Sequence, residues 1–121
     1  AGLGLVTLSL RGCYRVTGDL KTIGMYLTGL QSLDLINCRE LKGSIKSLES
    51  LVGCTEVNLY ACVKVKGPFK SFASMPNLRV LCIANCPKIT GKLKSMTEFG
   101  PVFTTVNLSG TDGMTGDNSQ L

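Results

Sequence analysis

The chain has 121 residues, 44% of them hydrophobic, a length and composition ordinary for one folded domain. Thirteen Lys and Arg against eight Asp and Glu leave a net charge of +5, which permits an anionic partner without requiring one. Histidine, the commonest general base and metal ligand, is absent, as is tryptophan, and no apolar run approaches the ~20 residues that a membrane-spanning helix needs.

Taken in order, the chain states one pattern and repeats it. Leu5, Leu8, Leu10, Cys13, Val16, Gly18, Leu20 and Ile23 come first. The same residue classes return 25 positions later as Leu30, Leu33, Leu35, Cys38, Leu41, Gly43, Ile45 and Leu48. A shift of 24 gives Cys54, Val57, Leu59, Cys62, Val65, Gly67, Phe69 and Phe72, and another 24 gives Leu78, Leu81, Ile83, Cys86, Ile89, Gly91, Leu93 and Met96. After an insertion of one residue come Phe103, Val106, Leu108, Thr111, Met114, Gly116 and finally Leu121. About five turns, over 5–29, 30–53, 54–77, 78–102 and 103–121, thus fill a single domain, 1–121. Self-similarity at this period is the signature of a solenoid, whose units cannot bury their apolar sides without neighbours.

Within each turn the elements follow from spacing. Leu8-Ser9-Leu10, Leu33-Asp34-Leu35, Val57-Asn58-Leu59, Leu81-Cys82-Ile83 and Val106-Asn107-Leu108 alternate apolar and variable residues. They predict short parallel strands stacked at ~4.8 Å in one sheet, with the outer pair of each triplet inward and the middle residue outward. The chain then turns at Cys13, Cys38, Cys62, Cys86 and Thr111. Val16, Leu41, Val65, Ile89 and Met114 add a core layer, and two residues later the glycines recur, which implies positive φ or close backbone stacking. Behind them, apolar residues three apart, as from Ile45 to Leu51, predict one or two turns of 3₁₀ or short α-helix, with Pro76 and Asn77 closing one such segment.

The pattern LxxLxLxxC followed by an apolar-x-Gly-x-apolar step resembles the leucine-rich repeat family. Leu41-Lys42-Gly43-Ser44-Ile45 is similar to the second half of the plant type. Cysteine where that type carries Asn is similar to the cysteine-containing subclass, and segments such as Cys86 to Gly91 look most like repeats of large protist proteins. The resemblance implies an α/β solenoid: a right-handed arc with a parallel sheet on its concave face and short 3₁₀ or α segments outside. It also implies a binding scaffold, not an enzyme, with no cofactor. Neither end carries a polar cap, so Leu3, Leu5, Leu8, Val106, Leu108 and Leu121 are expected to be exposed, and neighbouring repeats or caps are expected on both sides.

Six cysteines invite a disulfide reading, but Cys13, Cys38, Cys62 and Cys86 follow the repeat, and no CxxC or CxxH pair accompanies them. They read as one interior column of thiols, with Cys54 in the core and Cys82 pointing outward from its strand. Unpaired buried thiols lean toward a reducing, intracellular compartment. The one N-x-S/T match, Asn107-Leu108-Ser109, lies within a strand and reads as chance.

The residues that differ from turn to turn lie on the outward face of the strands. Arg11, Asp34, Ile36, Glu56, Asn58, Tyr60 and Cys82 form the candidate surface for a protein partner, with Tyr60 beside Ile36 at its centre. The plainer alternative is a set of solvated strand residues in which Ile36 and Tyr60 support one another across strands. A second column, Lys21, Lys46, Lys70 and Lys94, stands three residues after each glycine. It is either an anion-binding ladder or a charge duplicated with the repeat that keeps the surface soluble. Arg15, Lys64 and Lys88 form a further partial column, broken by Glu40. Few aromatics accompany these bases, so no nucleic acid is expected. Two rivals to protein recognition stand: a receptor-type ectodomain sensing an extracellular ligand, and a structural spacer in a longer array.

Overall fold

The structure, a computed structural model, describes residues 4–98 and 103–116. In chain order the elements are β1 (Thr7–Ser9), β2 (Gly18–Asp19), helix α1 (Leu20–Tyr26), β3 (Ser32–Asp34), β4 (Leu41–Ser44), a 3₁₀ segment (Ile45–Ser50), β5 (Glu56–Asn58), β6 (Lys64–Pro68), a 3₁₀ segment (Phe69–Ser74), β7 (Val80–Cys82), β8 (Ile89–Lys92), a 3₁₀ segment (Leu93–Glu98), β9 (Thr105–Asn107) and β10 (Met114–Thr115). The expected short helical backs are present. The first is α-helical and seven residues long, whereas each 3₁₀ segment has six.

The strands form two parallel five-stranded sheets with short helices, an α/β arrangement. In the first sheet, β1, β3, β5, β7 and β9 lie side by side, and each residue pairs with its equivalent one repeat on: Thr7 with Ser32, Ser32 with Glu56, Glu56 with Val80, Val80 with Thr105. The second sheet, in the order β10-β8-β6-β4-β2, corrects the expectation of a single sheet on one concave face. Its cause is the glycine column. Gly67 has φ 128°, and a Cβ placed there would sit 2.9 Å from both Ile45 Cγ1 and Ser44 Oγ of the preceding repeat. With no side chain there, the backbone packs close on the preceding repeat, and toward the following one Gly67 N donates to Lys88 O at 3.3 Å. What spacing marks only as a tight place is therefore a second ladder of strands.

The core follows the repeat. Leu33, Leu35, Cys38, Leu41, Ile45, Leu48 and Leu51 are all buried, as are Val57, Leu59, Cys62, Val65, Phe69, Phe72 and Met75 one repeat later. Phe69 and Phe72 meet edge to face, 5.8 Å between centroids, where the previous repeat has Ile45 and Leu48. Toward the outer repeats burial falls: Leu8, Leu10, Val16, Leu108 and Met114 are only partly buried. Leu5 is exposed, while Leu8, Val106 and Leu108 are half-covered; Leu3 and Leu121 lie outside the described residues.

Candidate functional site

The first sheet brings four of the sequence-selected residues together. Asp34, Glu56, Asn58 and Cys82 line a shallow depression of about 120 Å³ with Ser32 and Val80, over a floor that includes Leu33 and Val57. Arg11, in the turn after the neighbouring strand β1, joins it through Asp34: its Nη2 and Nε donate to Asp34 Oδ2 at 2.9 and 3.2 Å. Because Arg11 is 65% exposed, this pair adds at most ~1 kcal/mol to stability, and it is better regarded as holding two surface groups in place. Tyr60, 38% exposed, and the partly buried Ile36 come after the strands and do not line the depression. They flank it at one end.

Two of these residues also hold the backbone. Asp34 Oδ1 accepts from Ile36 N at 3.2 Å, and Asn58 Oδ1 accepts from Tyr60 N at 3.0 Å. Asn107 Oδ1 repeats the bond to Ser109 N at 3.0 Å. A side-chain oxygen bonding the amide two residues on is a local turn device, so the outward column is not wholly free to vary. Ala61 and Ala84, in the turns just past β5 and β7, are buried. Just past each first-sheet strand the chain enters the left-handed region at Gly12, Asn37, Ala61, Asn85 and Gly110, with φ between 56° and 73°. The bend does not by itself decide burial, since Ala61 is buried whereas Asn85, at the same place in its own turn, is exposed. A sequence signal existed, since four of the five are Gly or Asn, the residues that tolerate this conformation.

The thiol column forms a ladder of its own. Cys38 Sγ donates to Leu10 O at 3.0 Å, Cys62 Sγ to Leu35 O at 2.9 Å and Cys86 Sγ to Leu59 O at 2.8 Å. Thr111 Oγ1 donates to Ile83 O at 2.6 Å in the same position. Each reaches back one repeat; Leu10 O, Leu35 O and Leu59 O also accept from the Cys13, Cys38 and Cys62 amides, so the thiol is a second donor that ties adjacent turns together. Burial pushes the Cys62 thiol up to about 12 and the Cys86 thiol to about 11, and raises Cys38 and Cys54 as well. All four are poor nucleophiles held as thiols. Cys54 is buried, with Sγ 3.3 Å from Glu56 O. Cys82 is only partly buried and faces the depression.

The helical-back lysines are not gathered into a site. Lys21, Lys46, Lys70 and Lys94 are exposed, each the second residue of its helical segment. Lys70 lines a hollow of about 240 Å³ that it shares with the Glu98 carboxylate, while the other three stand apart from it. The second sheet instead concentrates Lys42, Lys64, Lys66 and Lys88 around a hollow of about 430 Å³, with Asp19 and Gly43. Lys42 and Lys66 were missed as members of this group because the second sheet was not foreseen. Their signal was a spacing of 24 beside the glycines, the same as between Lys64 and Lys88.

No protein-family profile matches the chain, and no curated protein matches it significantly. Among the described residues no helix is long and apolar enough to cross a membrane, and no cluster of three His, Cys, Asp or Glu is placed to hold a metal ion.

Proposed function

We propose that the chain is a leucine-rich-repeat-type solenoid, a right-handed arc of about five turns, whose first sheet recognises a protein partner. The observation that carries this reading is the first-sheet depression. Asp34, Glu56, Asn58 and Cys82 come from three successive strands in matched register, so a rigid frame presents unlike side chains at equivalent places. Its volume, about 120 Å³, is well below the ~300–1,000 Å³ of a small-molecule pocket, so a surface contact suits it better than an enclosed ligand. Tyr60 and Arg11, residue types favoured at binding hot spots, stand at its margins.

The test is capture from native lysate with this chain extended by one repeat at each end, against the same bait carrying Tyr60→Ala, Ile36→Ala and Arg11→Ala. A partner held by the first bait and lost by the second, with both equally folded by circular dichroism, supports first-sheet recognition. A partner held equally by both sinks it. The spacer reading draws on the bonds from Asp34 and Asn58 to their own backbones, which give those residues a structural task without any partner. It expects no capture by either bait.

A further inference from the structure

The second sheet places like charges against each other. Lys42 of β4 is the register partner of Lys64 of β6, and Gly67 N bonds the carbonyl of Lys88, which sets Lys88, the residue just before β8, beside Lys66. Strands in a sheet lie ~4.8 Å apart, and like charges directly opposite one another destabilise the pairing. The alternation Lys64-Val65-Lys66, exposed-buried-exposed, turns both flanking lysines to the same outer face. Fold stability alone does not favour this arrangement, because any uncharged polar residue would serve these exposed positions without the repulsion.

The acids nearby do not cancel the group. Glu40 pairs with Lys64 at 2.7 Å, on the surface, and Asp19 lines the hollow with its Oδ1 accepting from Lys21 N at 2.8 Å. The ammonium groups of Lys42, Lys66 and Lys88 have no carboxylate partner among the described residues. The hollow they surround, about 430 Å³, falls within the size range of small-ligand sites.

We propose that this face binds a compact, multiply phosphorylated polyol, either free or as a lipid headgroup. The chemistry selects phosphate over carboxylate by charge density. A phosphomonoester carries about −1.5 to −2 charges at neutral pH, so two or three on one small ring match three or four ammonium groups within the hollow. Carboxylates, at one charge each, would have to be spread along a peptide to do the same. Lysine suits the task, since its ammonium is a point charge with three donors on a flexible stem and needs no planar fork. No aromatic side chain lines the hollow to stack a base, which sets nucleotides aside.

The experiment is titration calorimetry of the full chain with inositol hexakisphosphate, beside flotation with phosphatidylcholine vesicles containing phosphatidylinositol 4,5-bisphosphate. The test variant is Lys42→Gln/Lys66→Gln/Lys88→Gln. The control is Lys21→Gln/Lys46→Gln/Lys70→Gln, which removes the same charge from the helical backs. Both alter exposed side chains only, and equal thermal melts verify the fold. The expected result is saturable binding of at least one probe, weakened about tenfold or more in the test variant and under about threefold in the control. Binding of the free probe alone assigns a soluble ligand, and vesicle binding assigns the headgroup. Three results would overturn the proposal: no saturable binding to either probe, equal weakening by both variants, or equal competition by a hexaglutamate peptide. None of them bears on the first-sheet partner, whose surface contains none of these lysines.

Discussion

At the scale of single residues, the cysteine column shows a fold choosing a side chain for one donor in a small space. Cys62 Sγ donates to Leu35 O at 2.9 Å, and Thr111 makes the equivalent bond at 2.6 Å to Ile83 O. Both bonds need the proton. In the fold, burial raises Cys62 to about 12 and Cys86 to about 11, whereas an unfolded thiol titrates near 9.0. Above pH ~9 the unfolded chain therefore binds fewer protons than the folded one, and stability falls with rising pH, by at most ~1.4 kcal/mol per pH unit for each such thiol. The stability is whole below pH 9 and is lost toward pH 11–12. Thermal melts under reductant from pH 8 to 10 should show this decline, and Cys62→Thr, which cannot titrate, should flatten it. An unchanged slope in that variant would remove Cys62 from the account. The same burial expects a thiol-selective maleimide at pH 7.5 to label Cys82 and Cys13 in the native protein, and Cys38, Cys54, Cys62 and Cys86 only after unfolding, as peptide mass mapping can resolve. Ala61 is the exception in its own column, holding φ 58° with a side chain that disfavours it. Ala61→Gly relieves ~1–2 kcal/mol of strain but adds ~0.5–1 of chain entropy and gives up a buried methyl worth ~0.8, so urea denaturation should find its stability within about 1 kcal/mol of the parent.

At the scale of elements, the packing of α1 on the 3₁₀ segment 45–50 depends on one hydrogen atom. Ser50 Oγ donates to Gly24 O at 2.6 Å, and a methyl on Gly24 would run into the Ser47 carbonyl. Helix propensity alone favours alanine there by ~1 kcal/mol. The clash is with backbone, which cannot swing aside, so Gly24→Ala should destabilise by about 1–3 kcal/mol in the same denaturation assay. A neutral or stabilising result would mean that α1 can slide away without loss. Caps tie the elements together at their other ends: Asp19 Oδ1 accepts from Lys21 N at 2.8 Å and Ser44 Oγ from Lys46 N at 3.1 Å, while Pro68 offers no such oxygen.

At the scale of the molecule, each repeat is stabilised by its neighbours, and burial declines outward. Leu59 is fully buried in the third repeat, and its equivalent Leu10 in the first is only partly covered. Leu59→Ala should cost about 2–5 kcal/mol and Leu10→Ala distinctly less, although the residue removed is the same. Equal costs would show that the chain does not behave as a stack of coupled units. The charge distribution is likewise a property of the whole, since the lysines of the second sheet become a group only when adjacent turns are laid side by side.

The period, the inward residues of each strand, the glycine column and the helical backs were legible because each is a local periodicity, and stacking places equivalent residues together whatever their neighbours. The sequence alone also placed Asp34, Glu56, Asn58 and Cys82 on one face, through strand alternation. Three things came only with the tertiary structure. The second sheet depends on how closely two backbones approach at Gly43, Gly67 and Gly91, a distance that no single repeat specifies. The left-handed conformation at Asn37, Ala61 and Asn85 belongs to the turns that follow the strands, which strand alternation does not describe. The hollow among Lys42, Lys64, Lys66 and Lys88 depends on register between strands 22 or more residues apart, because the energy of a charge is set by its neighbours in space and not by its neighbours in the chain.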